Sequence, residues 1–297
     1  MNKIKTVVTG GAGFIGSHIV DSLIEDGHEV VCIDNESATS NEEFYWNPKC
    51  VKVVEDICDY KKILPWFSGV DVVFHLAAIA RIQPSFKLPK EYFTTNANGT
   101  LNLVDWCANN NVPIIYAGSS SKHSGRFKNP YTFSKDVGED IISLYQKHYE
   151  LKSSITRFYN VYGPHHLKDG GYCTLIGKWE KAIEDGKSLT IFGDGTKRRD
   201  FTHIDDIVDA LVKIMEQGAY GYDFELGRGK NYSVKDIADM FNYDDIVYED
   251  DKPGEALVTL CEDTLANEIL GWIPTKDIDN YITSYINEKE HNIHTGN

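Results

Sequence analysis

A short apolar run at Lys5–Val8 leads directly into the glycine-rich segment Thr9-Gly10-Gly11-Ala12-Gly13-Phe14-Ile15-Gly16, after which an amphipathic stretch begins. Between a strand and a helix, glycines with this spacing allow a tight turn, a close approach of backbone N–H groups to a pyrophosphate, and close packing of the helix on the sheet. Asp34 ends the next apolar run, where a carboxylate accepts hydrogen bonds from the ribose hydroxyls of a dinucleotide and disfavours a 2′-phosphate. The alternative, a glycine-rich turn beside a solvated Asp, leaves this placement unexplained. The pattern therefore predicts a dinucleotide-binding unit that prefers NAD to NADP.

The first half of the chain alternates short β-branched runs with longer amphipathic stretches, which is typical of βαβ units and a parallel sheet. The apolar runs are Lys5–Val8, Glu29–Ile33, Val51–Val54, Val70–His75, Pro113–Ala117 and Ser154–Arg157. The helical stretches are Phe14–Glu25, Lys61–Phe67, Asn96–Asn109 and Tyr131–Tyr149. After about Gly163, glycines break up shorter elements. We therefore predict an α/β fold, a Rossmann-type doubly wound parallel sheet over residues 1–163 with a smaller C-terminal lobe over residues 164–297 that is interleaved with the sheet.

Acidic residues outnumber basic ones, with 45 Asp and Glu against 30 Lys and Arg and a net charge of −15. Such a surface repels phosphate backbones and anionic lipid, so we predict no nucleic-acid and no membrane partner. No apolar stretch approaches the length of a membrane span, and the first residues lack a signal-peptide core. The six cysteines are scattered, without a CxxC pair or metal-ligand spacing. We therefore expect reduced thiols, a cytoplasmic protein and no metal site.

A second motif, Tyr131-Thr132-Phe133-Ser134-Lys135, opens a helical stretch after Asn129-Pro130. Because Tyr131 and Lys135 are one helical turn apart on the same face, the ammonium can lie near the phenol, stabilise the phenolate and lower the tyrosine pKa. The run that ends at Ala117 continues into Gly118-Ser119-Ser120-Ser121, and a serine hydroxyl there can hold a substrate oxygen. Alone, the pair equally fits an exposed helix face and the serines a turn. The prediction of an acid/base tyrosine depends on their combination with the glycine motif.

Taken together, these motifs resemble the extended short-chain dehydrogenase/reductases. The resemblance includes His75-Leu76-Ala77-Ala78, Asn96-Ala97-Asn98-Gly99-Thr100 and Arg157-Phe158-Tyr159-Asn160-Val161-Tyr162-Gly163-Pro164. Segments similar to the nucleotide-sugar epimerase/dehydratase branch are Ile191–Gly195, Arg199–Asp206 and Pro253–Glu255. The likeness spans Lys3 to Trp272. It implies NAD as the cofactor, a nucleotide-diphosphate sugar as the substrate, a substrate-binding C-terminal lobe, and a homodimer paired through the helices at Asn96–Asn109 and Tyr131–Tyr149.

The resemblance also implies roles for individual residues. The catalytic residues would be Ser119, Tyr131 and Lys135. The cofactor would be bound by Gly10, Gly13, Phe14, Ile15, Gly16, Asp34, Asn35, Ser37, Asp56, Ile57, Leu76, Ala77, Ala78, Asn96, Ala117, Tyr131 and Lys135, with Asp56 and Ile57 at the adenine and Asn96 holding either a neighbouring loop or the cofactor. The substrate would be bound by Ser119, Ser120, Asn160, Arg199 and Glu255.

The chain departs from the family pattern after the serines. Lys122-His123-Ser124-Gly125 stands where the family has a Tyr-Gly pair and a longer loop, so Ser119, Ser120 and Ser121 each remain candidates for the catalytic hydroxyl. The shorter loop is expected to open the sugar pocket or to admit His123 to it. Lys252 stands where the family often has a phosphate-binding arginine. Arg81, just beyond the His75–Ala78 segment, is a further candidate to face the sugar.

The expected reaction is NAD-dependent epimerisation at C4 of a nucleotide-linked hexose, of the UDP-glucose/UDP-galactose type, through a transient 4-keto sugar. A nucleotide-sugar 4,6-dehydratase is the first alternative, but it would carry an Asp-Glu pair just after the catalytic hydroxyl. A 4-keto-sugar reductase would favour NADPH, against Asp34. The third alternative, a non-catalytic module that binds NAD or a nucleotide sugar, is opposed by the intact pair of Tyr131 and Lys135.

Overall fold

The structure, a computed structural model, describes residues 3–38 and 44–295. Its strands are β1 (Lys5–Thr9), β2 (Glu29–Asp34), β3 (Val51–Val54), β4 (Val72–His75), β5 (Ile114–Ala117), β6 (Ser153–Phe158), β7 (Leu189–Phe192), β8 (Arg198–Asp200), β9 (Asp223–Leu226), β10 (Asn231–Ser233) and β11 (Ile246–Glu249). Seven of them form a sheet in the order β3-β2-β1-β4-β5-β6-β9, and every neighbouring pair is parallel. The predicted α/β fold with a doubly wound parallel sheet is confirmed.

The α-helices are α1 (Phe14–Glu25), α2 (Tyr60–Ile63), α3 (Ile82–Ser85), α4 (Pro89–Phe93), α5 (Thr100–Asn110), α6 (Pro130–Tyr149), α7 (Leu175–Glu184), α8 (Ile204–Gln217), α9 (Val234–Phe241), α10 (Leu265–Leu270) and α11 (Ile278–Thr295). The stretch predicted as one helix over Lys61–Phe67 is divided into α2 and a 3-10 turn at Leu64–Phe67, because Pro65 lacks the N–H that would continue the α-helical ladder. The stretch predicted to begin at Asn96 starts with a π-helical segment at Thr94–Gly99. Within the described ranges, no helix combines the length and the apolar character that a membrane span requires.

Both faces of the sheet are covered by helices, because successive residues of a strand point to opposite faces. In β1, Val8 packs on one face with Ile19 of α1 and Leu211 of α8. Its neighbour Val7 packs on the other face with Val104 of α5 and Ile142 of α6. The helices are thus fixed on a central strand whose carboxyl end leads into the glycine-rich segment.

The strand order reverses between β1 and β4, so the loops that follow these two strands diverge and leave a crevice between them, which is where ligands of such sheets bind. His75, at the end of β4, joins the two sides: its Nδ1 lies 2.9 Å from Thr9 Oγ1 and its Nε2 lies 2.9 Å from Thr100 Oγ1. Burial lowers the pKa of His75 to about 3, so the ring is neutral and acts as a structural link.

The second half of the chain forms a lobe and also returns to the sheet. Two small sheets, β7 with β11 and β8 with β10, pack with helices α7 and α9 around a core that contains Trp179 and Phe241. Between these elements the chain supplies β9, which pairs with β6 in parallel. The lobe therefore follows the carboxyl ends of β6 and β9, on the same side of the sheet as the serines that follow β5.

Candidate active site

The glycine-rich segment forms the floor of the crevice, and its shape requires glycine. A Cβ on Gly10 would lie 2.7 Å from the backbone nitrogen of Ala77, and a Cβ on Gly16 would lie 2.0 Å from the carbonyl oxygen of Gly10. Gly13 is the N-cap of α1 and has no side chain to bond the N–H groups of the first helical turn. Those N–H groups and the positive end of the helix dipole suit a pyrophosphate, so these residues fit the dinucleotide that the sequence predicts.

Asp34, at the end of β2, is hydrogen-bonded to the glycine-rich segment. Its Oδ2 accepts a hydrogen bond from the backbone N–H of Ala12 at 3.1 Å, and its Oδ1 accepts one from Glu36 at 2.8 Å. Burial raises the pKa of the Asp34 carboxyl, and these two N–H donors oppose that rise. The carboxylate lies on the crevice lining at the end of β2, where a ribose would be bound.

Most of the predicted cofactor-binding residues line one continuous cleft over the switch point. They are Gly10, Gly13, Phe14, Ile15, Gly16, Asp34, Asn35, Ser37, Ile57, Leu76, Ala77, Ala78, Ala117, Tyr131 and Lys135. Two others lie behind the lining. Asp56 accepts hydrogen bonds from Asn35 Nδ2 at 2.9 Å and from the N–H of Cys58 at 2.8 Å. Asn96 is fully buried and holds the neighbouring loop through both backbone groups of Ile79, which is the first of the two roles that the sequence left open.

The hydroxyl of Tyr131 donates to Ser119 Oγ at 3.3 Å. Ser119 Oγ also lies 2.8 Å from Ser121 Oγ and accepts from the N–H of Ser121 at 3.3 Å. Ser120 points elsewhere, because its hydroxyl donates to the carbonyl of Phe158 at 2.8 Å. Of the three candidate serines, Ser119 is therefore the one in hydrogen-bonding contact with the tyrosine.

Lys135 is buried on the same face of α6, but its ammonium does not lower the pKa of Tyr131 as the sequence led us to expect. Burial lowers the pKa of Lys135 to about 7, and its Nζ lies 4.2 Å from the ring centroid of Tyr116. Burial raises the pKa of Tyr131, while the hydrogen bond to Ser119 and the positive charge of Arg81 oppose that rise. Within the described part of the chain, Lys135 Nζ has no hydrogen bond or ion pair, so it is available to a ligand.

A second pocket opens on the other side of Tyr131, towards the lobe. It is lined by all of the predicted substrate-binding residues: Ser119, Ser120, Asn160, Arg199 and Glu255. Arg199 Nη2 lies 3.6 Å from Glu255 Oε2, and Asn160 Nδ2 donates to the carbonyl of Asp200 at 2.9 Å. Both pockets share Phe14, Ile15, Arg81 and Tyr131. A group bound in the cleft and a group bound in the lobe pocket would therefore meet at the tyrosine.

Two side chains that the sequence offered for this pocket do not line it. His123 does not enter it: His123 Nε2 lies 2.8 Å from Glu225 Oε1, and Ser121 and Ser124 line the pocket instead. Lys252 is not on the pocket lining either, because its Nζ lies 3.4 Å from the ring centroid of Phe192. Both side chains take a partner that is distant in sequence, which local motifs do not reveal.

Other residues of the site were missed or left open by sequence reasoning. Tyr172 and Thr174 line the cleft from a segment with no recognisable motif, and Thr174 also caps α7. Arg81, left open by the sequence, lines both pockets. Its signal was only its position beyond the His75–Ala78 segment.

Comparison with known proteins agrees with this geometry. The model of the NAD-dependent epimerase/dehydratase family matches residues 6–227. A UDP-glucose 4-epimerase of Mycolicibacterium smegmatis is 30% identical over 295 residues, which cover 91% of this chain and 94% of that protein.

Two solved structures are similar over nearly the whole chain. The UDP-glucose 4-epimerase of Thermotoga maritima with UDP-glucose has a TM-score of 0.87 at 27% identity and covers 98% of this chain and 100% of that one. The UDP-glucuronic acid 4-epimerase of Bacillus cereus in complex with UDP-glucuronic acid and NAD has a TM-score of 0.82 at 29% identity and covers 96% of this chain and 99% of that one. Because the family model matches most of the chain and the relatives align over nearly all of it, the chain belongs to the NAD-dependent epimerase/dehydratase family, as its motifs predicted. NAD is its cofactor.

Proposed function

We propose that this protein epimerises C4 of a nucleotide-linked hexose, of the UDP-glucose/UDP-galactose type, through transient oxidation to a 4-keto sugar. The observation that carries the proposal is the hydrogen-bonded pair of Tyr131 and Ser119, 3.3 Å apart, at the junction of the cofactor cleft and the lobe pocket. The activities named for the relatives, UDP-glucose 4-epimerase among them, support this choice of reaction.

Each group at the junction has a role in this reaction. Ser119 Oγ holds the C4 oxygen, and Tyr131 removes the proton of the C4 hydroxyl and later returns a proton to that same oxygen. NAD held by this cleft would supply an acceptor for the C4 hydride and its return to the opposite face of the keto sugar, so that no net reductant would be consumed. Lys135 is buried one helical turn from Tyr131 and has no ion pair among the described residues; when protonated beside the bound ligands, it favours the phenolate.

The keto sugar has to turn over between the two transfers while its distant end stays bound. Arg199 and Asn160 line the far part of the lobe pocket and would hold the diphosphate, with Glu255 at the nucleoside ribose. Binding energy from groups that do not react can retain the intermediate during this motion.

The lobe pocket offers little for dehydration across C5 and C6. Ser120 and Ser121 stand where that reaction would place a carboxylate pair, and Glu255 is the one carboxylate on the pocket lining among the described residues. Since Glu255 lies at the Arg199 end, the pocket favours epimerisation over 4,6-dehydration.

We also propose a homodimer and a reducing, cytoplasmic location. Leu101 of α5 and Leu144 and Tyr149 of α6 are exposed on the two helices that the family resemblance pairs between subunits. All six cysteines are free thiols, which supports a reducing compartment. Light scattering of the purified protein tests the dimer, and a particle mass equal to one chain would contradict it.

The activity test supplies UDP-glucose or UDP-galactose without reductant and follows the C4 epimer by chromatography. We expect turnover in the wild type and a loss of roughly 10²- to 10⁴-fold in Tyr131→Phe, since general acid–base groups contribute on that scale. Tyr248→Phe, at an exposed position of β11 outside both pockets, is the matched control and should keep its activity. Full turnover by Tyr131→Phe would exclude the mechanism, and stoichiometric consumption of reduced cofactor would indicate a reductase.

A further inference from the structure

Arg81 has an unusual backbone for a side chain of its size. Its φ is +86° and its ψ is 139°, a region that residues other than glycine rarely adopt. The conformation is held from both sides. The hydroxyl of the fully buried Tyr92 lies 2.8 Å from the carbonyl of Ala80 and 3.0 Å from that of Arg81, while Asn96 bonds both backbone groups of Ile79. Strain that the surroundings enforce in this way is typical of ligand-binding positions.

The guanidinium of Arg81 differs from every other guanidinium of the chain, because no carboxylate of the described residues lies within 4.0 Å of it. Its Nε donates to the carbonyl of Tyr172 at 2.9 Å, and its two terminal nitrogens make no hydrogen bond to a described residue. The remaining arginines each have at least one carboxylate partner; they are Arg126, Arg157, Arg198, Arg199 and Arg228. Burial lowers the pKa of Arg81, so its surroundings disfavour the charge that it carries. A cation left partly desolvated and unpaired in a reaction pocket calls for an anion from the ligand.

The position of Arg81 indicates which anionic group of a nucleotide sugar would lie beside it. Arg81 lines both pockets beside Tyr131, and its charge opposes the rise in the Tyr131 pKa, so it lies at the end of the pocket where C4 reacts. The diphosphate end has its own cation in Arg199. Next to C4 in a hexose is C5, whose substituent is a neutral hydroxymethyl group in glucose and galactose and a carboxylate in the corresponding uronic acids.

We propose that Arg81 binds a C6 carboxylate of the sugar, so that among nucleotide-linked sugars this site prefers a hexuronate to the corresponding neutral hexose. The proposal rests on the proposed function, since C4 chemistry at Tyr131 is what brings C6 to Arg81. A guanidinium binds a carboxylate through two parallel hydrogen bonds, and the two free terminal nitrogens of Arg81 supply such donors. Pockets built around a buried polar group discriminate strongly against ligands that leave it unpaired.

The test compares UDP-glucuronate, UDP-glucose and UDP as ligands of the NAD-saturated protein by titration calorimetry, with epimerisation of both sugars measured in parallel. Arg81→Gly removes the guanidinium and suits the positive φ, so the variant should fold, which its thermal unfolding verifies. Arg81→Lys keeps the charge without the two-pronged geometry. Lys152→Met, a neutralisation at an exposed position immediately before β6, controls for the change in net charge.

We expect the wild type to bind UDP-glucuronate more tightly than UDP-glucose. In Arg81→Gly the affinity for UDP-glucuronate should fall roughly 10- to 100-fold further than that for UDP-glucose, as for a lost hydrogen bond to a charged group. The affinity of Arg81→Lys for UDP-glucuronate should lie between those of the wild type and Arg81→Gly. The affinities of Lys152→Met for both sugars should match those of the wild type. An equal loss for UDP alone would assign Arg81 to the diphosphate and overturn the proposal, as would a wild type without preference for the uronate.

The two proposals fail in different ways. If UDP-glucuronate binds through Arg81 but neither sugar is epimerised, the carboxylate site stands and the epimerase reaction is wrong. If both sugars are epimerised with equal kcat/KM and Arg81→Gly changes both equally, the epimerase stands and the uronate assignment is wrong.

Discussion

Two buried cationic regions lie within one helical turn of each other along α6. In the reaction centre, Lys135 and Arg81 have no carboxylate partner among the described residues. One turn further on, Glu139 belongs to a set that we call the Arg157 cluster, which is Arg157, Glu139, Glu225, Asp223 and Lys122. In that cluster Arg157 contacts three carboxylates at 2.7 to 2.9 Å. This fold therefore pairs a buried cation where one is structural, and the cations without a carboxylate partner are those that we propose for ligands.

The pKa directions of the two regions differ accordingly. Burial alone would raise the pKa of Glu139, but hydrogen bonds from Arg157 and Lys122 hold it below its usual range. Arg157 is desolvated as well, yet its carboxylate partners raise its pKa. At Lys135 burial dominates and the pKa falls to about 7. Charge is therefore stabilised in the Arg157 cluster and destabilised at Lys135.

The largest stability effect should come from breaking the cluster. Arg157→Met leaves Glu139, which is 2% exposed, without its main partner, and loss of one member of a buried ion pair costs about 3–5 kcal/mol. Urea unfolding measures the change. Lys181→Met removes an exposed pair with Asp185 and should have a far smaller effect. Similar losses in the two variants would mean that the cluster is not the stabilising element described here.

Replacement of Lys135, unlike that of Arg157, is expected to increase the stability of the fold. The folded-state pKa of about 7 lies below the usual 10.5, so the unfolded chain binds the proton more tightly and burial of the ammonium destabilises the fold. This destabilisation is complete below pH 7 and disappears as the pH rises towards 10.5. Lys135→Met should therefore raise the melting temperature of the cofactor-free protein most at pH 6 and least at pH 10, while it lowers epimerase turnover. A gain that does not depend on pH would show that packing, not charge, is responsible.

The smallest effect should lie at the rim of the cluster, at His123. Its hydrogen bond to Glu225 raises the pKa of His123 above the ordinary 6.5. The contribution of this contact to stability is therefore complete below pH 6.5 and is lost as the pH rises through the folded-state value. His123→Gln should destabilise the protein slightly at pH 6 and less at pH 9 in thermal unfolding, because the side chain is half exposed. His148→Gln, at the exposed end of α6, is the control; an equal change there would remove the assignment to Glu225.

Sequence reasoning worked where structure and chemistry are local. The bounds of α1 match the predicted Phe14–Glu25, because an apolar periodicity follows a glycine turn directly. The glycine-rich segment and Asp34 meet in space because β1 and β2 are adjacent parallel strands whose carboxyl ends lie at one edge. The spacing of Tyr131 and Lys135 correctly places them on one face of α6, since helical geometry fixes that relation.

The rest depends on contacts between distant segments. Whether Lys135 carries a charge follows from burial, which no spacing expresses. The choice of Ser119 over Ser120 follows from the carbonyl of Phe158, which captures the Ser120 hydroxyl from the neighbouring strand. The role proposed for Arg81 depends on Tyr92 and Asn96, which fix the backbone around it from one helical segment, and on Tyr172, which lies 91 residues away and accepts from its Nε.

The late arrival of β9 has a consequence for biosynthesis. The outer edge of β6 stays without a partner until Asp223–Leu226 has been made, and the whole stretch from 159 to 222 must first leave the ribosome. An open strand edge is a template for pairing with other chains, and nascent domains form from the N-terminus onwards. The emerging chain is therefore most exposed to aggregation in that interval. A fragment that stops at residue 163 would keep this edge permanently, so the glycine-rich half should not be obtainable as an independent soluble unit.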